Sequence, residues 1–306
     1  MNERGQLNRG IVCVLVFVLL ALSFSDARAN VTTKQARKAI TRMPGFELTN
    51  SAVRVSSVSS TTDSTAEVTA SIRSVFRFEK NQQGIWRVAE IRTAPDTWED
   101  IDLIGRALGV NMITSDCNSP DRPARPAALD PTVKRTRCLL GSLFGIDIPS
   151  DELRIQEVAP FAVPLASRPS TTVIAWIQVG ARLVKEKNSG WRVAEIRTGK
   201  RDWISVDTVL AAVNDEKRKT ARAELEVIAQ ALERFRSERG YYWVADKESV
   251  LIDHLSPRYL SRVIRLDPWR QPYIYQGERD RFTLTSTGPD RKEATGDDII
   301  LSNSAR

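Results

Sequence analysis

A chain of 306 residues has room for two or three domains of ordinary size, each able to bury its own core. The net charge of +7 is spread thinly: Lys134, Arg135 and Arg137 form one short basic cluster. Nucleic acid demands a continuous basic face, so no nucleic-acid partner is expected, and one histidine (His254) with three cysteines argues against a zinc site.

Residues 1–29 read as an export signal. Arg4 and Arg9 give a basic start, residues 10–24 are apolar, and Ala27-Arg28-Ala29 is an A-x-A cleavage site. The apolar run is short for a bilayer span of about twenty residues. Cleavage before Asn30 is therefore expected, with contact to a membrane only through an uncleaved signal, and a periplasmic or cell-surface location. Cleavage removes Arg4, Arg9, Arg28, Glu3 and Asp26 and lowers the net charge by one, to +6. It leaves Cys117 and Cys138, which can pair across about twenty residues in an oxidising compartment. The alternative is that Cys138, in a helical stretch, is a small buried apolar residue.

The middle of the chain is duplicated. WRVAEIRT occurs at 86–93 and again at 191–198, with Trp98 and Trp203 following at equal spacing. Upstream, Val68, Ala70 and Ile72 align without a gap to Val173, Ala175 and Ile177, and MPGFELTNSAVRV aligns to LFGIDIPSDELRI. Period-two alternation through these runs predicts half-buried antiparallel strands. Each copy is thus an α+β unit: a helix (about 34–43 and 133–143), three or so strands, and a closing helix near the second tryptophan. The predicted divisions are repeat 1 at 30–111, a proline-rich linker at 112–131 and repeat 2 at 132–213. Trp86, Val88 and Ile91 read as core or strand-pair residues kept through duplication, against the alternative of a ligand platform.

From residue 214 the pattern turns helical. Asn214 reads as the N-cap, and Ala221, Leu225, Ile228, Leu232 and Phe235 form one apolar stripe ended by Gly240. Leu251, Leu255, Tyr259 and Leu260 are available for the core. Asp267-Pro268-Trp269 is a turn. Tyr273-Ile274-Tyr275 and the alternation through Phe282, Leu284 and Ser286 predict a hairpin. Gly288-Pro289-Asp290 then opens an irregular polar loop running to Asp297-Asp298. Two adjacent carboxylates facing a third repel unless a cation lies between them, and a hard divalent ion suits such oxygens. A solvated acidic turn is the competing interpretation.

These blocks resemble the C-terminal head of the major pseudopilin of type II secretion systems, which carries a DPWGxPYxY turn and hairpin followed by a GPDGxxGxxDDI calcium loop. The matching residues are Asp267, Pro268, Trp269, Pro272, Tyr273, Tyr275, Gly288, Pro289, Asp290, Gly296, Asp297, Asp298 and Ile299. Arg270 and Arg291 replace two of the family's glycines, each at a position where glycine would adopt a left-handed backbone freely. The resemblance covers about 214–306 and implies a long helix packed on a short antiparallel sheet. It also implies Ca2+ held by the carboxylates of Asp290, Asp297 and Asp298 with main-chain carbonyls of Thr287 and Lys292. The family's prepilin signal is absent, since the fifth residue after Gly10 is Leu15 rather than glutamate.

The expected fold is α+β: two tandem repeats followed by a pseudopilin-like head. No nucleophile elbow, P-loop or H-E-x-x-H pattern is present, and three carboxylates in one loop do not flank a substrate as a glycosidase pair does. The expectation is a non-enzymatic, structural or accessory protein whose partners are proteins of a secretion or pilus-like assembly. A free-standing binding module and a hydrolase with its site between the repeats are the alternatives.

Overall fold

The computed structural model describes residues 31–81, 84–110, 117, 131–156, 170–187, 190–244 and 255–303. The export signal, His254, Leu251 and all of the linker between 112 and 130 except Cys117 lie outside them. The fold is α+β, with four α-helices and antiparallel strands among the described residues. The first copy runs α1 (Thr33–Thr41), β1 (Val53–Ser60), β2 (Thr65–Lys80), β3 (Trp86–Ala94), β4 (Thr97–Asp100) and α2 (Ile101–Ala107). The second runs α3 (Val133–Phe144), β5 (Leu153–Gln156), β6 (Ser170–Glu186), β7 (Gly190–Thr198), β8 (Ile204–Ser205) and α4 (Val206–Arg239). Strands β9 (Ile274–Gly277), β10 (Phe282–Ser286) and β11 (Ile299–Ser302) complete the chain.

Capping fixes where the first helix of each copy starts. Thr32 Oγ1 accepts from Gln35 N at 3.2 Å while Gln35 Oε1 accepts from Thr32 N at 2.9 Å, a reciprocal capping box. In the second copy Thr132 Oγ1 accepts from Arg135 N at 3.2 Å. Along β2 every second residue from Ala66 to Ile72 is buried, and Val173, Ala175 and Ile177 are buried at the matching places of β6. That alternation is what a strand with one covered face produces.

The chain folds into two compact units, and neither is one copy. The first takes residues 1–73 and 176–203, the second 74–175 and 204–306. The chain passes between them inside β2, at Arg73/Ser74, and inside β6, at Ala175/Trp176.

In the first unit, β1 pairs with the opening half of β2 from Val53↔Ile72 to Ser60↔Ala66. β7 pairs with the closing half of β6 from Val179↔Thr198 to Glu186↔Gly190. Lys185 N donates to Ser64 O at 2.8 Å, and Arg182 Nε pairs with Glu67 at 2.9 Å. Helix α1, from the first copy, packs on β1 and on β7 of the second copy, burying Ala36, Ala39 and Ile40.

The second unit shows the reciprocal arrangement. β3 pairs with the closing half of β2 (Phe76↔Ile91 to Lys80↔Trp86), β4 pairs with β3, and β5 pairs with the opening half of β6. Helix α3, from the second copy, packs on β5 and on β3 of the first, with the Phe144 ring 5.6 Å from that of Phe76. Each copy thus lends its first helix to a strand of the other copy. Phe76, Phe78, Leu139 and Leu140 have no exposed surface, and burial of such side chains is worth about 1.5–3 kcal/mol each. Cys117 and Cys138 form a disulfide, with Cα atoms 5.6 Å apart. Trp86, Val88 and Ile91 are buried strand residues, core material in the first copy; of their counterparts Val193 is buried and Trp191 and Ile196 are half-buried.

The start of the last helix differs from the sequence expectation. Asn214 is not an N-cap: α4 begins at Val206, capped by Ser205 Oγ, which accepts from Thr208 N at 3.4 Å. Its first turns stand where α2 stands in the first copy, whose N-cap is Asp100. In the first copy the helix stops at Leu108 and is followed by Gly109 in the left-handed region (φ 64°). Asn214 occupies that place in the second copy and stays helical, so the closing helix of repeat 2 continues into the head without a break. Its side chain accepts instead from Trp269 Nε1 at 3.0 Å.

In the head, the stripe of Ala221, Leu225, Ile228, Leu232 and Phe235 is buried against Tyr242, Tyr259, Trp269, Tyr273, Tyr275, Phe282 and Leu284. The hairpin forms with Phe282↔Gly277 to Thr285↔Ile274 in register, and β11 adds on the far side of β10.

Candidate metal centre

Asp267 organises the turn that precedes the hairpin. The residue is 2% exposed; Oδ1 accepts from Trp269 N (2.9 Å) and Gln271 N (2.8 Å), and Oδ2 accepts from Ser286 Oγ (2.6 Å). A buried carboxylate so fully hydrogen-bonded is a structural clamp. Ser286 Oγ in turn accepts from Gly288 N at 3.3 Å, tying the turn to the mouth of the acidic loop.

The loop itself spans residues 287–298, closed at its base by the Ser286↔Ile299 pair of β10 and β11. Asp290, Asp297 and Asp298 meet there around one hydroxyl, that of Thr295. The Thr295 hydroxyl lies 3.3 Å from Asp290 Oδ1, 2.7 Å from Asp297 Oδ1, 3.3 Å from Asp298 Oδ1 and 3.2 Å from Lys292 O. Three carboxylates and one carbonyl therefore converge on a single hydroxyl, which has one proton to give. Backbone N–H groups hold the second oxygen of two of the three: Asp290 N donates to Asp297 Oδ2 at 3.0 Å and Ala294 N to Asp298 Oδ2 at 2.9 Å. Lys292 N donates to Asp290 Oδ1 at 2.8 Å. Hydrogen bonds from the Thr295 hydroxyl, then from Asp290 N, hold the Asp297 carboxyl below its ordinary value.

Thr295 is the member of the cluster that sequence reasoning misses; its one signal is its place between Asp290 and the Asp297-Asp298 pair. Thr287 is buried, and its hydroxyl has no hydrogen-bond partner. Gly288 has φ 64°, and a Cβ there would meet Asp297 O at 2.4 Å, so the backbone closes tightly around this corner. Among the described residues no three His, Cys, Asp or Glu side chains are disposed to hold an ion by themselves. The oxygen-only donor set, the orphaned Thr287 hydroxyl and the Gly288 corner nonetheless fit a hard cation ligated partly by backbone.

The head is fastened to elements of the first copy within the same unit. Lys217 Nζ pairs with Glu99 at 2.7 Å with its side chain 6% exposed, and Arg106 Nε pairs with Glu216 at 2.8 Å. The Arg106 hydrogen bond holds the Glu216 carboxyl below its ordinary value. Arg270 Nη2 donates to Glu90 Oε1 and to the Trp98 carbonyl, both at 3.2 Å. Among the described residues no helix is long and apolar enough to cross a membrane.

A long helix packed on a three-stranded antiparallel sheet, with a DPW turn and an acidic loop closing the last two strands, defines a pseudopilin-like head. Residues 208–303, about a third of the chain, match the family described as type II secretion system (T2SS), protein G. The match begins inside α4, and what precedes that helix is the duplicated part. No curated protein and no solved structure matches the chain.

Proposed function

We propose that this protein is an exported, non-enzymatic accessory component of a type II secretion or pilus-like assembly, its pseudopilin-like head stabilised by Ca2+. One observation carries the reading. The helix that closes repeat 2 is the helix of the head, Val206–Arg239, so the family-matched segment grows directly out of the duplicated part. In this position the head serves as a docking module of a larger protein, and its partners are proteins of the assembly.

Ca2+ would be held by Asp290, Asp297 and Asp298 with the carbonyls of Thr287 and Lys292; when bound it supplies charge neutralisation for the loop. The chain's own residues do the rest. Thr295 gathers the carboxylates, the N–H groups of Asp290, Lys292 and Ala294 orient them, and Gly288 lets the backbone close behind Asp297. Two measurements on the full chain test the proposal. Calorimetric titration with Ca2+ should show one site that is lost in Asp297→Ala. Crosslinking in cells should recover secretion or pilus-like components. Absence of a calcium site removes the metal from the reading, and crosslinks to unrelated proteins alone remove the assembly.

A further inference from the structure

The two copies carry the same side-chain cluster at equivalent positions: Arg77, Glu90, Arg92 and Trp98 in the first, Arg182, Glu195, Arg197 and Trp203 in the second. In the first, Arg77 pairs with Glu90 Oε2 and lies 4.4 Å from the Trp98 ring centroid. In the second, Arg182 pairs with Glu195 Oε2 at 3.0 Å and lies 4.3 Å from the Trp203 ring, with Arg197 at 4.4 Å. The difference is in what else arrives. Glu90 Oε1 and the Trp98 carbonyl together accept the Arg270 guanidinium of the head. Among the described residues Glu195 has Arg182 as its cationic partner, and Arg182 is shared with Glu67 at 2.9 Å.

Exposure follows the same division. The Glu90 side chain is 17% exposed and that of Glu195 36%. One copy shows the cluster with an arginine seated on it; the other presents the equivalent glutamate, Glu195, more openly.

We propose that the Glu195–Trp203 face docks an arginine presented on a turn of a partner protein. A guanidinium suits it because its planar fork can bridge a carboxylate and a carbonyl at once, which an ammonium does less well. Trp203, stacked by two arginines, holds the strand end in place. The partner is a different protein, because Arg270 of every molecule of this chain is already engaged on its own Glu90. The inference does not depend on the secretion reading.

The probe is a fluorescein-labelled, cyclised peptide of sequence LDPWRQPY, titrated with the full chain at low salt and followed by fluorescence anisotropy. Saturable binding is expected, weakened at least about tenfold by Glu195→Gln and by lysine in place of the peptide's arginine, a change of about 1.4 kcal/mol. Thermal melts confirm that the variant is folded. Equal binding to Glu195→Gln, equal binding of the lysine peptide, or no saturable binding overturns the proposal. So does concentration-dependent dimerisation of the chain that Glu195→Gln abolishes, since the occupant is then a second molecule of the same chain.

Discussion

Arg270 and Arg291 stand in the left-handed region at φ 67° and 60°, a backbone state that costs an L-residue about 1–2 kcal/mol. At Arg270 the cost is offset in part by the bonds to Glu90 and Trp98. With the arginine side chain 48% exposed, such a pair contributes about 0–1 kcal/mol. Arg270→Gly is therefore expected to leave the melting temperature nearly unchanged. Arg291 has no such partner among the described residues, so Arg291→Gly should stabilise by up to about 1 kcal/mol. The demand for a left-handed residue is legible only through the resemblance, which has glycine at both places. What Arg270 grasps is not, because no local pattern encodes a contact 180 positions away. The glycines of the loop divide in the same way. Gly288→Ala places a Cβ 2.4 Å from Asp297 O at positive φ and should cost about 2–4 kcal/mol in a denaturant melt. Gly296→Ala meets nothing within 4 Å and should change stability by less than about 1 kcal/mol. Tyr275 supplies a pH dependence: burial pushes its hydroxyl up to about 12. Its unfolded value is about 10, so the folded state favours the neutral phenol. That contribution is fully present below pH of about 10 and is lost as pH rises toward about 12. Tyr275→Phe should make the alkaline fall of stability shallower.

At the scale of elements, helices α1 and α3, the hairpin and the alternating strands are legible, because capping residues and hydrophobic periods act over a few neighbours. The exchange of α1 and α3 between copies is not: a duplicated sequence reads identically whether each helix covers its own strands or the other copy's. The beginning of α4 is hidden for a related reason. Asparagine caps helices well, yet Asn214 is also tolerated within one, and the decisive signal is comparative. Where the first copy has Gly109 to stop its closing helix, the second has none. Asn214→Pro should break the continuity, removing a helical hydrogen bond and the Trp269 contact, at about 3 kcal/mol or more. Asn214→Ala loses only the Trp269 bond, worth about 1 kcal/mol, and gains helix propensity of some tenths. Circular dichroism melts of the two variants separate a broken helix from a lost side-chain contact.

For the whole molecule, the acidic loop lies in the second compact unit, together with the head, β3, β4 and α3. The chain from loop to repeat is continuous in hydrogen bonds: Gly288 to Ser286, Ser286 to Asp267, Arg270 N to the Asp267 carbonyl, and Arg270 to Glu90. A head fragment beginning at residue 214 would start inside α4 and lose Glu99, Arg106 and Glu90, so the full chain is the proper subject for a calcium test. A ligand that binds only the folded state stabilises it by RT ln(1 + [L]/Kd), about 2.7 kcal/mol at a hundredfold excess over Kd. Roughly millimolar calcium and a Kd of about 10 μM give that ratio. Against a stability of about 5–15 kcal/mol the effect is large. Chelation should accordingly lower the thermal transition of the unit holding the loop. Asp297→Ala in calcium should reproduce the chelated value, because it removes a carboxylate that also anchors Thr295 and Asp290 N. Thr295→Val should do so only in part, since it leaves all three carboxylates in place. If wild type melts alike in calcium and in chelator, the three aspartates form a hydrogen-bonded acidic turn organised by Thr295, and the metal has no place in it.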